Sequence, residues 1–201
     1  MSVASPTPPP SPPAPAPAAT VRTALERVLH PWRRRLARRR LARLAPPASV
    51  LFVCQGNACR SPFAAAVARH LLPADTDVDS AGFMMPRRRS PSEAIAAAAE
   101  RGLDLSAHRS QLATTLQLRN AEVVVVMDVE QRRRVLGMQP GIGRRVVILG
   151  DLDPEPIADR AVPDPVNQAL DAFRSAYARI ERCVEALVGL WHQGPGREPR
   201  G

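Results

Sequence analysis

Four consecutive valines, Val123–Val126, constrain the fold of this chain most tightly. A short, uniformly apolar, β-branched run fits a central parallel strand covered on both faces, and such strands need crossover helices between them. The flanking sequence supplies the alternation. Strands are predicted over 49–53, 76–80, 123–127 and 146–149, and helices over 62–72, 92–101, 130–136 and 169–191. The expected fold is therefore α/β: a doubly wound, mostly parallel four-stranded sheet flanked by helices, with its functional site at the carboxyl ends of the strands. Some 140 residues suffice to bury one core, and no internal repeat is evident.

The first predicted strand runs directly into Cys54-Gln55-Gly56-Asn57-Ala58-Cys59-Arg60-Ser61-Pro62. A cysteine where a strand hands over to a helix N-terminus meets converging backbone N–H groups, which bind a phosphate dianion and favour thiolate over thiol. Gly56 and Asn57 tolerate the left-handed backbone angles that a loop wrapped round an anion requires. Arg60, six residues on, offers a planar fork of donors for two phosphate oxygens, a geometry lysine does not reproduce. A phosphate-binding loop after the first strand is thus expected over Gln55–Ser61.

These residues resemble the active-site loop of the low-molecular-weight protein tyrosine phosphatases of bacterial type, and the resemblance spans roughly residues 49–191. It implies Cys54 as nucleophile, Arg60 as phosphate clamp, Asn57 as loop organiser and Ser61 as a hydroxyl donor that eases departure of the thiolate. It also implies an acid that protonates the leaving oxygen and then activates water. Five acids lie between Gly150 and Asn167. Val162-Pro163-Asp164-Pro165 resembles the family's acid loop before the last helix, and flanking prolines fix the backbone there. Asp164 is the expected acid, with Asp153 in reserve. Asp79-Ser80-Ala81-Gly82 resembles the family's turn whose serine braces the loop asparagine. Leu105–Arg109 and Val125–Asp128 resemble the stretches carrying a histidine and its aspartate partner, so His108 and Asp128 are expected to pair in support of the loop. Cys59 is close enough in sequence to Cys54 for the reversible disulfide that some relatives use.

The resemblance implies an enzyme, a phosphoric monoester hydrolase without cofactor or metal, acting on phosphotyrosine in a phosphorylated protein through a cysteinyl-phosphate intermediate. An autophosphorylating tyrosine kinase is the expected kind of partner. Three alternatives stay open: a protein-arginine phosphatase, a thiol-dependent arsenate reductase on the same fold, and a catalytically weak phosphate-binding adaptor. Reductases of that kind relay oxidation through two further cysteines, and only Cys183 lies outside the loop here. Val166 and Asn167 stand where many relatives carry an aromatic wall; Phe83, Met84 and Met85, followed by Arg87, Arg88 and Arg89, offer the other wall. Ala58 is smaller than the family's usual residue at a position that helps separate phosphotyrosine from phosphoarginine in relatives.

The first 48 residues are different material. Residues 1–20 are mostly Pro, Ala, Ser and Thr, too poor in apolar residues to bury a core, and are expected to be a disordered tail. Residues 21–48 read as an Arg-rich amphipathic helical extension, helical over 21–44, with Val21, Leu25, Val28, Leu29, Trp32 and Leu36 recurring at steps of three and four. Pro31 is expected to kink or split that helix. Nine arginines against Glu26 alone put +8 of the net +9 charge in this extension, leaving +1 for the rest. Such a segment suits an anionic membrane surface better than nucleic acid. Its apolar runs are too short for a signal peptide or membrane span. A cytoplasmic protein, peripheral at the inner membrane face, is the expectation, with residues 192–201 a flexible tail.

Overall fold

The computed structural model describes residues 17–43 and 46–192, with the side chains of its first helix described from Ala24 onward. What the sequence implies for residues 1–16 and 193–201 lies outside the described residues. Four strands, β1 (Ser49–Cys54), β2 (Asp77–Gly82), β3 (Val123–Val126) and β4 (Val146–Ile148), form one sheet in the order β2-β1-β3-β4. Every pairing is parallel, with Cys54 opposite Gly82 and Val53 opposite Val126. The chain leaves β1 toward β2 and then crosses to β3 on its other side, which makes the carboxyl end of β1 a topological switch point where ligand crevices form.

Helices cover both faces: α1 (Pro17–Leu41), α2 (Arg60–Leu71), α3 (Ser92–Ala99), α4 (Thr115–Asn120), α5 (Val129–Met138) and α6 (Leu170–His192), with a 3-10 turn over Leu149–Leu152. Strand residues alternate between two cores. Val50, Phe52, Val123 and Val125 face α2 and α6, whereas Leu51, Val53, Val124 and Val126 pack with Leu118 of α4 and Val135 of α5. All four valines of β3 are fully buried, because each face has its own helical cover.

Helix α4 was not among the predicted helices. It is under two turns long, with only Leu118 buried, so it carries no readable period; its N-terminus is fixed by a reciprocal Thr114–Gln117 capping box.

The extension departs most from its sequence reading. Helix α1 begins at Pro17, four residues inside the stretch assigned to the tail, and continues through Pro31 without splitting. Pro31 is exposed, so the carbonyl it leaves unpaired one turn earlier can be solvated. The helix packs on the 3-10 turn and on α6 through His30, Ala37 and Leu41, all buried. Those contacts hold it on both sides of the proline. Its apolar stripe is not the docked face: Val28 is 74% and Trp32 63% exposed. None of the described helices is long and apolar enough to cross a membrane.

Candidate active site

Helix α2 starts at Arg60, so the loop from Cys54 to Cys59 delivers the chain from the end of β1 into a helix N-terminus. Cys54 is buried at the floor. The Asn57 amide lies 3.2 Å from Cys54 Sγ, and the Ser61 hydroxyl donates to the same sulfur at 3.0 Å. Two donors aimed at one sulfur stabilise it as a leaving group.

Asn57 organises the loop. It adopts the left-handed region at φ 48°, a conformation open to Asn through its short polar side chain. Gly56 does not share that conformation, contrary to the sequence reading, and a Cβ there would meet nothing within 4 Å. The buried Asn57 carboxamide donates to Ser61 Oγ at 3.0 Å and to Ser80 Oγ at 2.9 Å, while its Oδ1 accepts from the Gln111 amide at 2.8 Å. The loop backbone also presses on β2: a Cβ on Gly82 would lie 2.7 Å from the Asn57 nitrogen.

His108 and Asp128 do not pair. The His108 ring donates through Nε2 to the Asn57 carbonyl at 2.7 Å, supporting the loop directly. Asp128 instead caps α5, accepting from the Gln131 amide at 2.7 Å and from Gln131 Nε2 at 2.6 Å. An Asp immediately before a helix is among the best N-caps, and that local use takes the carboxylate away from His108.

Arg60 is buried along its stem. One Nη donates to the Val162 carbonyl at 3.0 Å and the other forms an ion pair with Asp164, whose own side chain is 37% exposed. Asp164 therefore stands over the thiol loop from a segment 104 residues away in sequence, with its second carboxylate oxygen accepting from the Val166 amide. Asp153, the reserve candidate, is a fully buried structural anion held by Arg179 and Arg182. Burial alone would push its carboxyl up, but Arg182, the Glu155 amide and Arg179 outweigh that and hold it below the ordinary carboxylate range.

Cys59 adjoins the nucleophile, and burial, with the negative charges of Asp164 and Cys54 adding to it, pushes its thiol up to about 12. All three cysteines are free thiols. Tyr177 of α6 donates its hydroxyl to the Cys59 carbonyl at 3.2 Å and stacks on Phe63 with centroids 3.8 Å apart. Neither Tyr177 nor Gln111 stood out in the sequence. Tyr177 is the chain's only tyrosine, buried on an amphipathic helix, and that was the available signal; Gln111 gave none.

A cleft of about 200 Å³ opens at the loop, with Cys54, Arg60 and Asp164 in its lining. Met84, Pro91 and Val166 form apolar walls, and Arg88 adds a cation. Phe83 turns aside, its ring covered by Arg134 at 4.3 Å. Ser110 pins the wall segment: it accepts the Arg88 amide on its hydroxyl at 2.9 Å and donates that hydroxyl to the Met85 carbonyl at 2.9 Å. Among the described residues no cluster of three His, Cys, Asp or Glu side chains could hold a metal ion.

A thiol under two donors, a guanidinium fork and a carboxyl facing one small cleft define a phosphoryl-transfer site of the cysteine-nucleophile class. Residues 49–193 match the family described as low molecular weight phosphotyrosine protein phosphatase, and the chain belongs to that family. It is 32% identical over 140 residues to the probable low molecular weight protein-tyrosine-phosphatase EpsP of Ralstonia nicotianae, covering 70% of this chain and 93% of that one. The crystal structure of the tyrosine phosphatase Wzb from Escherichia coli K30 in complex with sulphate superposes with a TM-score of 0.65 at 26% identity, covering 71% of this chain and 97% of that one. The YwlE arginine phosphatase from Geobacillus stearothermophilus superposes with a TM-score of 0.63 at 26% identity, covering 70% and 90%. The enzyme is a phosphoric monoester hydrolase, as its family implies.

Proposed function

We propose that the chain hydrolyses phosphotyrosine in proteins through a phosphate ester of Cys54. The observation that carries this reading is the convergence of Cys54, Arg60 and Asp164 on one cleft. A bound phosphate takes up the Arg60 fork while the Cys54 thiolate attacks phosphorus in line. As the S–P bond forms, the P–O bond to the phenol breaks and Asp164 gives its proton to the leaving oxygen. Water then attacks phosphorus, Asp164 takes its proton, and the S–P bond breaks. The thiolate departs toward the Ser61 hydroxyl, 3.0 Å away. Gln55, Gly56, Ala58 and Cys59 complete the phosphate loop, and Ser80 and His108 hold it through Asn57.

The test is turnover of a phosphotyrosine peptide by the full chain, blocked by vanadate and abolished in Cys54→Ser, with a phosphoarginine peptide in parallel. The cleft's walls of Met84, Pro91 and Val166 include no aromatic ring, which keeps the second substrate in the comparison. A faster reaction on phosphoarginine would reassign the substrate and leave the chemistry intact.

A tyrosine-autophosphorylated kinase is the proposed physiological substrate. We also infer that the extension rests on an anionic membrane at its inner face. Leu25, Val28 and Trp32 project from one side of α1 beside exposed Arg35 and Arg39, the pattern of an interfacial helix. Sedimentation with phosphatidylglycerol vesicles, lost in Trp32→Ala and at high salt, tests this; equal recovery with neutral vesicles would refute it.

A further inference from the structure

Helix α1 lies outside the family region, yet it is fastened to the segment that delivers Asp164. His30 is buried, and its Nε2 donates to the Asp153 carbonyl at 2.9 Å across 123 residues. Its Nδ1 has no partner, so this single bond fixes the ring's polar edge. The Asp153 carboxylate accepts from Arg179 Nε at 2.9 Å and Arg182 Nε at 2.8 Å. Arg179 reaches on to the Ala161 carbonyl at 2.8 Å and the Asp159 carbonyl at 2.7 Å. Val162, the next residue, donates its amide to the Met127 carbonyl at 2.9 Å and gives its own carbonyl to Arg60. The acid loop, residues 153–167, has no regular secondary structure, so these few anchors set where Asp164 sits.

We propose that α1 braces the acid loop, with His30 as a positioning residue for the general acid. The proposal rests on the assignment of Asp164 to that role. His30 holds the Asp153 backbone, Asp153 orients Arg179, and Arg179 holds the two carbonyls that precede the Val162–Asp164 turn. A proton donor is effective only within hydrogen-bond reach of the leaving oxygen, and a displacement of about 1 Å can cost up to about a hundredfold in rate. Removing the Nε2 donor leaves the Asp153 carbonyl unpaired in a buried seam and loosens the first link. Loss of the brace should therefore appear where protonation of the leaving group limits the reaction. Phenolate as basic as tyrosine's, with a pKa of about 10, needs the acid; p-nitrophenolate, a much weaker base, departs with little help.

The experiment measures kcat/KM for phenyl phosphate and for p-nitrophenyl phosphate with the full chain and with His30→Leu, His30→Gln and Asp164→Ala. A thermal melt of each variant accompanies the kinetics. His30→Leu should lose about 3- to 10-fold on phenyl phosphate and about 2-fold or less on p-nitrophenyl phosphate. His30→Gln, which keeps an N–H donor near the same place, should recover most of that loss, and Asp164→Ala should show the same selectivity at larger amplitude. Equal losses on both substrates, or none, in His30→Leu while Asp164→Ala remains selective would overturn the brace. If Asp164→Ala itself is not selective, the acid assignment fails and the brace falls with it. Should His30→Leu not fold, His30→Asn takes its place, its amide being too short to reach Asp153.

Discussion

Arg60 and Asp164 form an ion pair that joins the thiol loop to the acid loop. The guanidinium also holds the Val162 carbonyl at 3.0 Å, so one side chain touches the acid loop's backbone and its carboxylate together. On the proposed mechanism, a phosphate that displaces the carboxylate from Arg60 finds its proton donor beside it. Phosphate binding and placement of the acid are in this way coupled through a single fork.

That fork is specific to arginine. Arg60→Lys keeps the charge but cannot hold the Val162 carbonyl and two phosphate oxygens in one plane. Steady-state kinetics on p-nitrophenyl phosphate should show kcat/KM lowered by about 10²–10³-fold, the scale of losing a transition-state oxyanion donor. A loss under about tenfold would mean that charge alone suffices.

Loop shape depends on Asn57 and on the space left by Gly82. Asn57→Ala removes two buried hydrogen bonds and a partly buried third and should destabilise the fold by about 2–4 kcal/mol in urea unfolding. Gly82→Ala would place a methyl 2.7 Å from the Asn57 nitrogen, so the loop must shift. Its activity should fall further than its stability. Unchanged kcat/KM in Gly82→Ala would show that the loop tolerates the displacement.

The buried Asp153 makes stability depend on acid pH. Its carboxyl is held below the ordinary range in the folded chain, so the unfolded chain binds the proton more readily as pH falls. This contribution is fully present above the ordinary value of about 4 and is lost as pH drops through the lower folded value. Urea midpoints between about pH 6 and 3 should therefore fall for the unmodified chain and change less for Asp153→Asn. At neutral pH, Asp153→Ala should cost about 3 kcal/mol, since it removes the buried carboxylate that Arg179 and Arg182 share.

Of the three consecutive arginines, Arg88 is the one that lines the cleft. Arg88→Ala should raise KM about 3- to 10-fold for a phosphotyrosine peptide with acidic neighbours, with kcat changed less than about twofold. Arg89→Ala, outside the cleft, serves as the comparison. Equal effects of the two would assign the attraction to diffuse charge.

The sheet and the thiol loop were legible in the sequence because their signals are local. Val123–Val126 announces a strand buried on both faces, and Cys54–Ser61 carries its chemistry within one short run. Tertiary context decided the rest. The resemblance gave Asp128 a histidine partner, and the structure uses it to cap α5 instead. Helix α1 shows the same limit. Its periodic apolar residues suggested an amphipathic helix for a membrane surface and gave no sign of a face docked on the domain, which uses His30, Ala37 and Leu41. A polar ring and an alanine are buried there only because the 3-10 turn and α6 offer a matching surface. Gly56 marked flexibility, yet within the thiol loop Asn57 alone takes the left-handed turn.

The most direct test of the account is the site of covalent phosphate. On the proposed mechanism Asp164→Ala slows hydrolysis of the intermediate more than its formation from p-nitrophenyl phosphate, whose leaving group needs little help. Mass spectrometry of that variant, quenched during turnover of p-nitrophenyl phosphate, should therefore find phosphate on the Cys54 peptide and on neither Cys59 nor Cys183. Turnover with no covalent phosphate, or phosphate on a residue other than Cys54, would contradict it.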